Sequence, residues 1–429
     1  MSPRRWTMDV RPLRTSRDFR IFVITQTVSY FGTFITYVAV PLQVAKLTGS
    51  PLAVGLLGLC ELAPLLVTAL LGGALADYFD RRRLILVGEA AAMLTCAILL
   101  ANSLAEHPAL WLLYVVAALS AALDGLQRPA IEGLVQRVVP IDQMAAASAL
   151  RSLGSQFSAL AGPAVGGVII ATAGFGWAYA VELATLALSF IGLLLIRATP
   201  PPPDADRPSI ASIVAGLKYA RGRPELIGTY VIDIVAMFFG MPMALFPFVA
   251  PKLGGDAVLG LLYAAPSAGA LIATLTSGWT GHVRRHGMGV IWSATIWGVA
   301  IVGFGLADEL WLALLGLGVA GGADMISGVF RQTIWNQTVP DRLRGRLAGV
   351  EMLSYSIGPT LGNVESGLAA RALGVGGSII SGGVACVVGT VALAAALPAF
   401  RRYDGPTGVA RREAEEAAFA AAATATAPA

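Results

Sequence analysis

Gly73-Ala-Leu-Ala-Asp77-Tyr-Phe-Asp-Arg81-Arg82-Arg83 joins two long apolar runs, residues 52–76 and 84–104. An α-helix needs about 20 mostly apolar residues to cross the hydrocarbon core of a bilayer, and both runs qualify. The charged junction has room only for a turn, so the two helices must be antiparallel. Three consecutive arginines in such a turn mark the side of a membrane that retains positive charge, the cytoplasmic side.

Working outward from this turn, ten further runs have the same character: 20–44, 109–127, 152–172, 176–196, 225–250, 257–280, 288–306, 310–330, 348–369 and 375–398. Twelve crossings put both termini on one side. With that side cytoplasmic, the outer loops hold only Lys46, Lys252 and Arg371, and every other Lys and Arg of the 30 falls inside. A slipped span would mix the two sets, so the asymmetry supports both count and orientation.

Composition agrees. Of 429 residues, 56% are hydrophobic and 13% charged, against about 25% charged in soluble domains. That excludes an ordinary soluble enzyme, and so much apolar sequence excludes a disordered chain. The net charge of +4 is too small to point to nucleic acid. None of Lys46, Lys218 and Lys252 precedes Ser or Thr, so no phosphate-binding loop for a nucleotide is present. Cys60, Cys96 and Cys386 are scattered in apolar runs, and His107, His282 and His286 lack ligand spacing; we expect no disulfide framework, metal or cofactor. The first apolar run is long enough to span, so it is read as a retained helix and not as a cleaved signal.

The expected organisation is a basic cytoplasmic arm, 1–19, a six-helix bundle, 20–197, a Pro-rich cytoplasmic linker, 198–224, a second six-helix bundle, 225–400, and a disordered tail, 401–429. The linker opens with Thr199 and four prolines, which give a stiff extended spacer. The halves echo each other. Asp124 stands sixteen residues before Pro140 and Asp324 sixteen before Pro340, and each segment leads to a Gly-Pro pair, Gly162-Pro163 and Gly358-Pro359. Six-plus-six repeats of this kind build transporters whose site lies near the midplane between the halves.

The opening stretch resembles the signature loop of the major facilitator superfamily, Gly-x-x-x-Asp-Arg-x-Gly-Arg-Arg/Lys. Gly73, Asp77, Arg81 and Arg82 match; Tyr78 and Asp80 depart from it. The resemblance implies an all-α membrane protein of twelve helices in two pseudosymmetric bundles, with this loop as a cytoplasmic latch that breaks in each cycle. We group Glu89 with the latch by its nearness to Arg83. Asp124 and Arg128, four apart and so on one helix face, are read as a gate network with Asp324 in the other half. Ser158, Gly162, Pro163, Gly166 and Gly167 are similar to the Gly-x-x-x-Gly-Pro-x-x-Gly-Gly motif of the superfamily's antiporters, which is associated with export. Arg17-Asp18-Phe19-Arg20, Glu61-Leu-Ala-Pro64-Leu and Arg128-Pro129-Ala130 extend the likeness to an enterobactin-exporter-like and multidrug efflux branch.

Ionisable groups within a span are costly, about 2.5–3.5 kcal/mol each even on lenient scales, and each needs a reason. Glu61 and Asp233 are the candidate proton carriers. Glu182 and Glu365 are placed nearer the outer surface, where they could line an exit. Gln26, Tyr30, Phe34 and Tyr37 of the first span, with Met237, Phe238 and Met241 of the seventh, are the candidate substrate wall; Met and aromatic surfaces suit varied amphipathic ligands. The resulting expectation is a monomeric carrier in the bacterial cytoplasmic membrane, not an enzyme, that exports a small amphipathic compound in exchange for protons. A dedicated siderophore exporter and a facilitator or importer of the same fold are the alternatives.

Overall fold

In a computed structural model of the chain, the described residues are 9–197, 218–340 and 343–425; the side chains of residues 70, 73, 74, 76, 77, 345, 346, 348–350 and 420–425 lie outside them. The helices are α1 (Arg11–Thr15), α2 (Arg17–Thr48), α3 (Pro51–Tyr78), α4 (Arg81–Leu104), α5 (Leu110–Val138), α6 (Met144–Ala173), α7 (Phe175–Leu194), α8 (Pro224–Gly240), α9 (Phe246–Leu253), α10 (Asp256–Thr276), α11 (His286–Gly305), α12 (Leu310–Thr338), α13 (Arg344–Ala396), α14 (Pro398–Arg401) and α15 (Gly405–Ala425). Eleven elements among the described residues are long and apolar enough to span, with α8 and α9 forming one of them. The last, within α13, is two helices joined at Gly374, whose φ of 73° only glycine adopts readily. Twelve crossings result.

The turns follow from local chemistry. Ser16 and Ser50 accept hydrogen bonds from the Phe19 and Ala53 amides and start α2 and α3. Gly49, in the left-handed region at φ 62°, ends α2 and lets α3 reverse at once. Asp80 accepts from the Arg83 amide at 3.2 Å and starts α4. Trp111, Trp177 and Trp311 stand at the first turns of α5, α7 and α12 and are exposed, as an interfacial belt requires.

The chain divides into two compact units. The first holds the described residues of Met1–Pro208 and of Phe246–Ala264; the second holds those of Ser209–Leu245 and Ala265–Ala429. In the first, α3 lies along α5, α2 packs on α6 and α7, and α4 on α5 and α7. A hydrophobic core lies at its arginine-rich end, where Phe19, Phe22, Ile85, Leu134 and Leu193 are almost wholly buried. In the second, α8 lies along α13, and α11 packs on α12 and α13.

Two details differ from the expected plan. Residues 246–264, expected in the second bundle, group with the first unit. The tail is not irregular: Gly405–Ala425 is helical and packs on α12. Its alanines favour helix, and its charges find partners that composition alone does not display. Arg223 pairs with Glu415, Arg411 lies 3.6 Å from Glu225, and Arg412 donates to the Asn336 carbonyl at 2.8 Å. Burial pushes the Tyr219 hydroxyl above its ordinary range, so it stays a donor to Glu415 at 3.2 Å. The Pro-rich opening of the expected linker lies outside the described residues.

Candidate functional site

The arginines of the opening stretch do structural work inside the first unit. Arg81 is buried and donates to the Gly133 carbonyl of α5 at 2.8 Å. Gly133 leaves the space it needs: a Cβ there would sit 2.5 Å from the guanidinium carbon. Arg82 donates to the carbonyls of Leu193 and Leu194 at 3.0 and 2.6 Å, closing the C-terminal end of α7, where a cation is favoured. Asp18, in the first turn of α2, pairs with Arg197 at 3.0 Å. The backbones of Gly73 and Asp77 lie in α3; the Asp77 side chain, on which the latch expectation turns, lies outside the described residues.

Glu89 is not part of that loop. It lies two turns inside α4, is 4% exposed, and its Oε1 accepts hydrogen bonds from Ser189 at 3.0 Å and Ser29 at 3.4 Å. Nearness to Arg83 in sequence misled because six residues of helix rise about 9 Å and rotate the side chain onto a different face. Glu89 instead lines a cavity of about 140 Å³ with Glu182, Gln26, Tyr30, Asp124 and Gln127. Glu182 accepts from the Thr36 hydroxyl and from Cys96 Sγ at 3.4 Å. The second oxygen of Glu89 is buried without a hydrogen-bond partner.

Asp124 and Arg128 pair at 3.7 Å on half-exposed side chains at this cavity's edge, and Arg151 holds Glu132 through two bonds of 2.9 Å. In the second unit, Asp233 pairs with Arg331, which also lies 3.5 Å from Asp324. The other oxygen of Asp233 is buried and unpartnered. One arginine thus answers two carboxylates. Glu61 is partly buried on α3 and makes no hydrogen bond or ion pair among the described residues.

The Gly-Pro helices pack alike in the two units. On α6, a Cβ at Gly162 would meet Phe34 Cβ at 2.6 Å, and one at Gly166 would meet Ile35 Cα at 3.1 Å; both contacts are on α2. Ser158 is fully buried and donates to the Thr27 carbonyl at 2.9 Å. Gly167 faces another way, to Gly260 of α10, whose amide a Cβ would meet at 2.7 Å. On α13, Gly358 lies against Met237 of α8 and Gly362 against Met241, the residue that follows α8. The first and fifth spans therefore meet as the seventh and eleventh do, which gives the sequence repeat a structural counterpart. Small residues permit such close helix contact.

Of the substrate-wall candidates, Gln26 and Tyr30 line the cavity. Phe34 and Tyr37 form an edge-on aromatic pair, and Tyr37 continues to Tyr263 at 5.5 Å. Phe238 stacks edge-on with Phe239. Sequence reasoning passed over Ser29, Thr36, Cys96 and Ser189. The signal was there: Ser29 and Thr36, Glu89 and Cys96, and Glu182 and Ser189 are each seven apart, so each pair shares one face of its helix.

Comparison with known proteins agrees with this architecture. Residues 7–418 match the family described as transmembrane secretion effector. An enterobactin exporter of Citrobacter koseri is 27% identical over 415 residues, 95% of this chain and 99% of that protein. One of Shigella boydii serotype 18 is 27% identical over 399 residues, 92% and 95% of the two chains. Among solved structures, a bacterial homologue of the human lysosomal transporter Spinster, inward-facing and unoccupied, aligns with a TM-score of 0.69 at 15% identity, covering 92% of this chain and 97% of that one. A peptide transporter of the POT family aligns at 0.70 and 13% identity, covering 90% and 95%. Twelve crossings, the paired Gly-Pro helices and a match over nearly the whole length identify the chain as a multi-pass membrane transporter of the transmembrane secretion effector family, within the major facilitator superfamily.

Proposed function

We propose that this protein exports a small amphipathic organic compound across the bacterial cytoplasmic membrane, driven by protons moving inward, as a monomer with both termini cytoplasmic. The observation that carries the reading is the Asp233–Arg331–Asp324 arrangement inside a membrane-spanning unit. A carboxylate there is retained at a cost, so it is expected to serve transport. Protonating Asp233 leaves Arg331 to its other acidic neighbours, Asp324 and Glu351, which gives a proton a means of changing which helices are tied together. Glu61, partly buried and without a hydrogen bond or ion pair among the described residues, is the second proposed carrier. The Gly162-Pro163 helix, packed tightly on α2, supports export through its likeness to the antiporter motif.

A second reading, dedicated siderophore export, is favoured by the relatives whose names state that they export enterobactin. Everted membrane vesicles separate the two. Proton-driven uptake of a lipophilic fluorescent cation, abolished by a protonophore and by Asp233→Asn or Glu61→Gln, supports the first. The same dependence with a catecholate siderophore supports the second. Uptake that survives the protonophore and both substitutions rejects proton exchange and points to a facilitator.

A further inference from the structure

The cavity between α2, α4, α5 and α7 is a polar chamber in an otherwise apolar bundle, and its polarity has a sign. Glu89, Glu182 and Asp124 face it, and no Lys or Arg is among its lining residues. Several hydroxyl donors in and around it are already committed. Ser29 and Ser189 donate to Glu89, Thr36 donates to Glu182, and Thr95 donates to the Ala92 carbonyl. Acceptors remain uncommitted. Glu89 Oε2 has no partner, and Gln26, 9% exposed, makes no hydrogen bond among the described residues. Such a wall offers oxygen lone pairs, and an anionic group entering it would meet three carboxyl side chains and no counter-charge among the lining residues.

We propose that this chamber binds the ammonium head of an organic amine, held between Glu89 and Glu182 with Gln26 as a third acceptor. An alkylammonium group carries three N–H donors and one positive charge, matching the acceptors left open. The volume sets how much of a ligand enters. At about 140 Å³ the cavity is smaller than the roughly 300–1,000 Å³ of a pocket that encloses a drug-sized ligand, which suits a charged head group. The apolar body of the compound must lie outside it. This rests on the export reading and narrows its substrate class, from an amphipathic compound to an amphipathic cation.

The charge balance is explicit. Two carboxyls buried in a bundle without a basic partner on the wall hold protons when the chamber is empty, because an isolated buried charge is far costlier than a neutral acid. An ammonium ion entering as R–NH3⁺ pairs with one carboxyl as that carboxyl loses its proton. No bond to carbon or nitrogen changes, and one positive charge replaces another. The other titratable groups facing the pair are Tyr30 of α2, Cys96 of α4, Asp124 of α5 with Arg128 as its partner, and Tyr179 of α7. A proton and an ammonium ion then compete for one site, which is the elementary requirement for exchanging them.

The test is equilibrium binding to the purified full-length protein, with dansylcadaverine and its N-acetyl derivative. The two share one aryl group and chain, and differ in whether the amine is charged. The wild type is expected to bind the amine at least tenfold more tightly than the acetylated compound. Glu89→Gln and Glu182→Gln are each expected to erase most of that preference. Unfolding midpoints in detergent show whether the variants are folded, and the comparison on the wild type stands without them. Equal affinities, no binding of the amine, or a preference kept in both variants would overturn the proposal. The export reading fails separately. Amine preference without proton-driven movement leaves the site and removes that reading, whereas proton-driven movement of both compounds at equal affinity does the reverse.

Discussion

Arg331 on α12 pairs with Asp233 on α8, whose side chain is 4% exposed, while the same guanidinium lies 3.5 Å from Asp324. The pair ties together two helices far apart in sequence, and it leaves Asp324 as an alternative partner within reach. An ion pair between buried groups is weak evidence of stability but is costly to break on one side, by about 3–5 kcal/mol. Arg331 is 21% exposed, which places the expected loss for Arg331→Gln near the lower end, about 3 kcal/mol. Adding Asp233→Asn removes the uncompensated carboxylate, and the double variant is expected to recover at least half of that loss. Thermal unfolding of the purified proteins checks it. A double variant as unstable as the sum of the two single variants would show that the residues are not coupled.

The Gly-Pro helix gives a steric prediction. Gly162→Val places a branched side chain against Phe34 Cβ and the Phe31 carbonyl, both at under 3 Å from the first added carbon. A loss of about 2–3 kcal/mol and of transport is expected, since overpacked contacts force backbone shifts. Gly281→Ala has open space for its methyl group and is expected to change stability by less than about 0.5 kcal/mol. Unfolding midpoints in detergent measure both.

The neighbouring arginines of the opening stretch are expected to behave differently. Arg82→Ala removes two hydrogen bonds from the end of α7 and is expected to destabilise by about 1.5 kcal/mol. Arg83 is exposed, and its substitution by Ala is expected to fall within about 0.5 kcal/mol of the wild type. Equal effects at the two positions would mean that the helix-capping contacts contribute nothing.

How much of this was legible before the fold varied with the kind of signal. Spans and turns were legible because hydropathy and arginine placement act locally, and Gly374 accounts for the point where two spans read as one long helix. The Gly-Pro motifs were legible because small residues four apart share a face. The chamber was not assembled in advance. Glu89 was assigned by its distance along the chain from Arg83, although its partners Ser29 and Ser189 lie 60 and 100 residues away. The polar stripe on α2, Gln26, Ser29, Thr33 and Thr36, has helical spacing and would have pointed inward had it been read beside Glu89 and Cys96. Partners of Glu415 were hidden for the same reason: Arg223 stands 192 residues before it.

The tail helix yields the fourth prediction. Arg223 is 6% exposed at its side chain and depends on Glu415, with Glu225 3.6 Å away as its remaining counter-charge. Glu415→Ala is expected to lower stability by about 1–2 kcal/mol, a range typical of a charge-assisted bond with partial compensation. It should also expose α15 to proteolysis. Glu416→Ala, which loses only a contact at 4.0 Å to Arg412 while Arg412 keeps its bond to the Asn336 carbonyl, is expected to have little effect. Digestion patterns that do not differ between the two variants would contradict the clasp.

The central proposal, that outward movement of an organic compound is exchanged for protons, is tested most directly by proton uptake into proteoliposomes. Protein is reconstituted with a pH-sensitive dye sealed inside, and dansylcadaverine is trapped in the lumen at equal internal and external pH. Acidifying the outside is expected to drive the amine out and protons in, with the dye reporting acidification faster than in protein-free vesicles. Asp233→Asn is expected to slow both movements together. Amine efflux at the same rate with and without the imposed proton gradient would contradict the exchange.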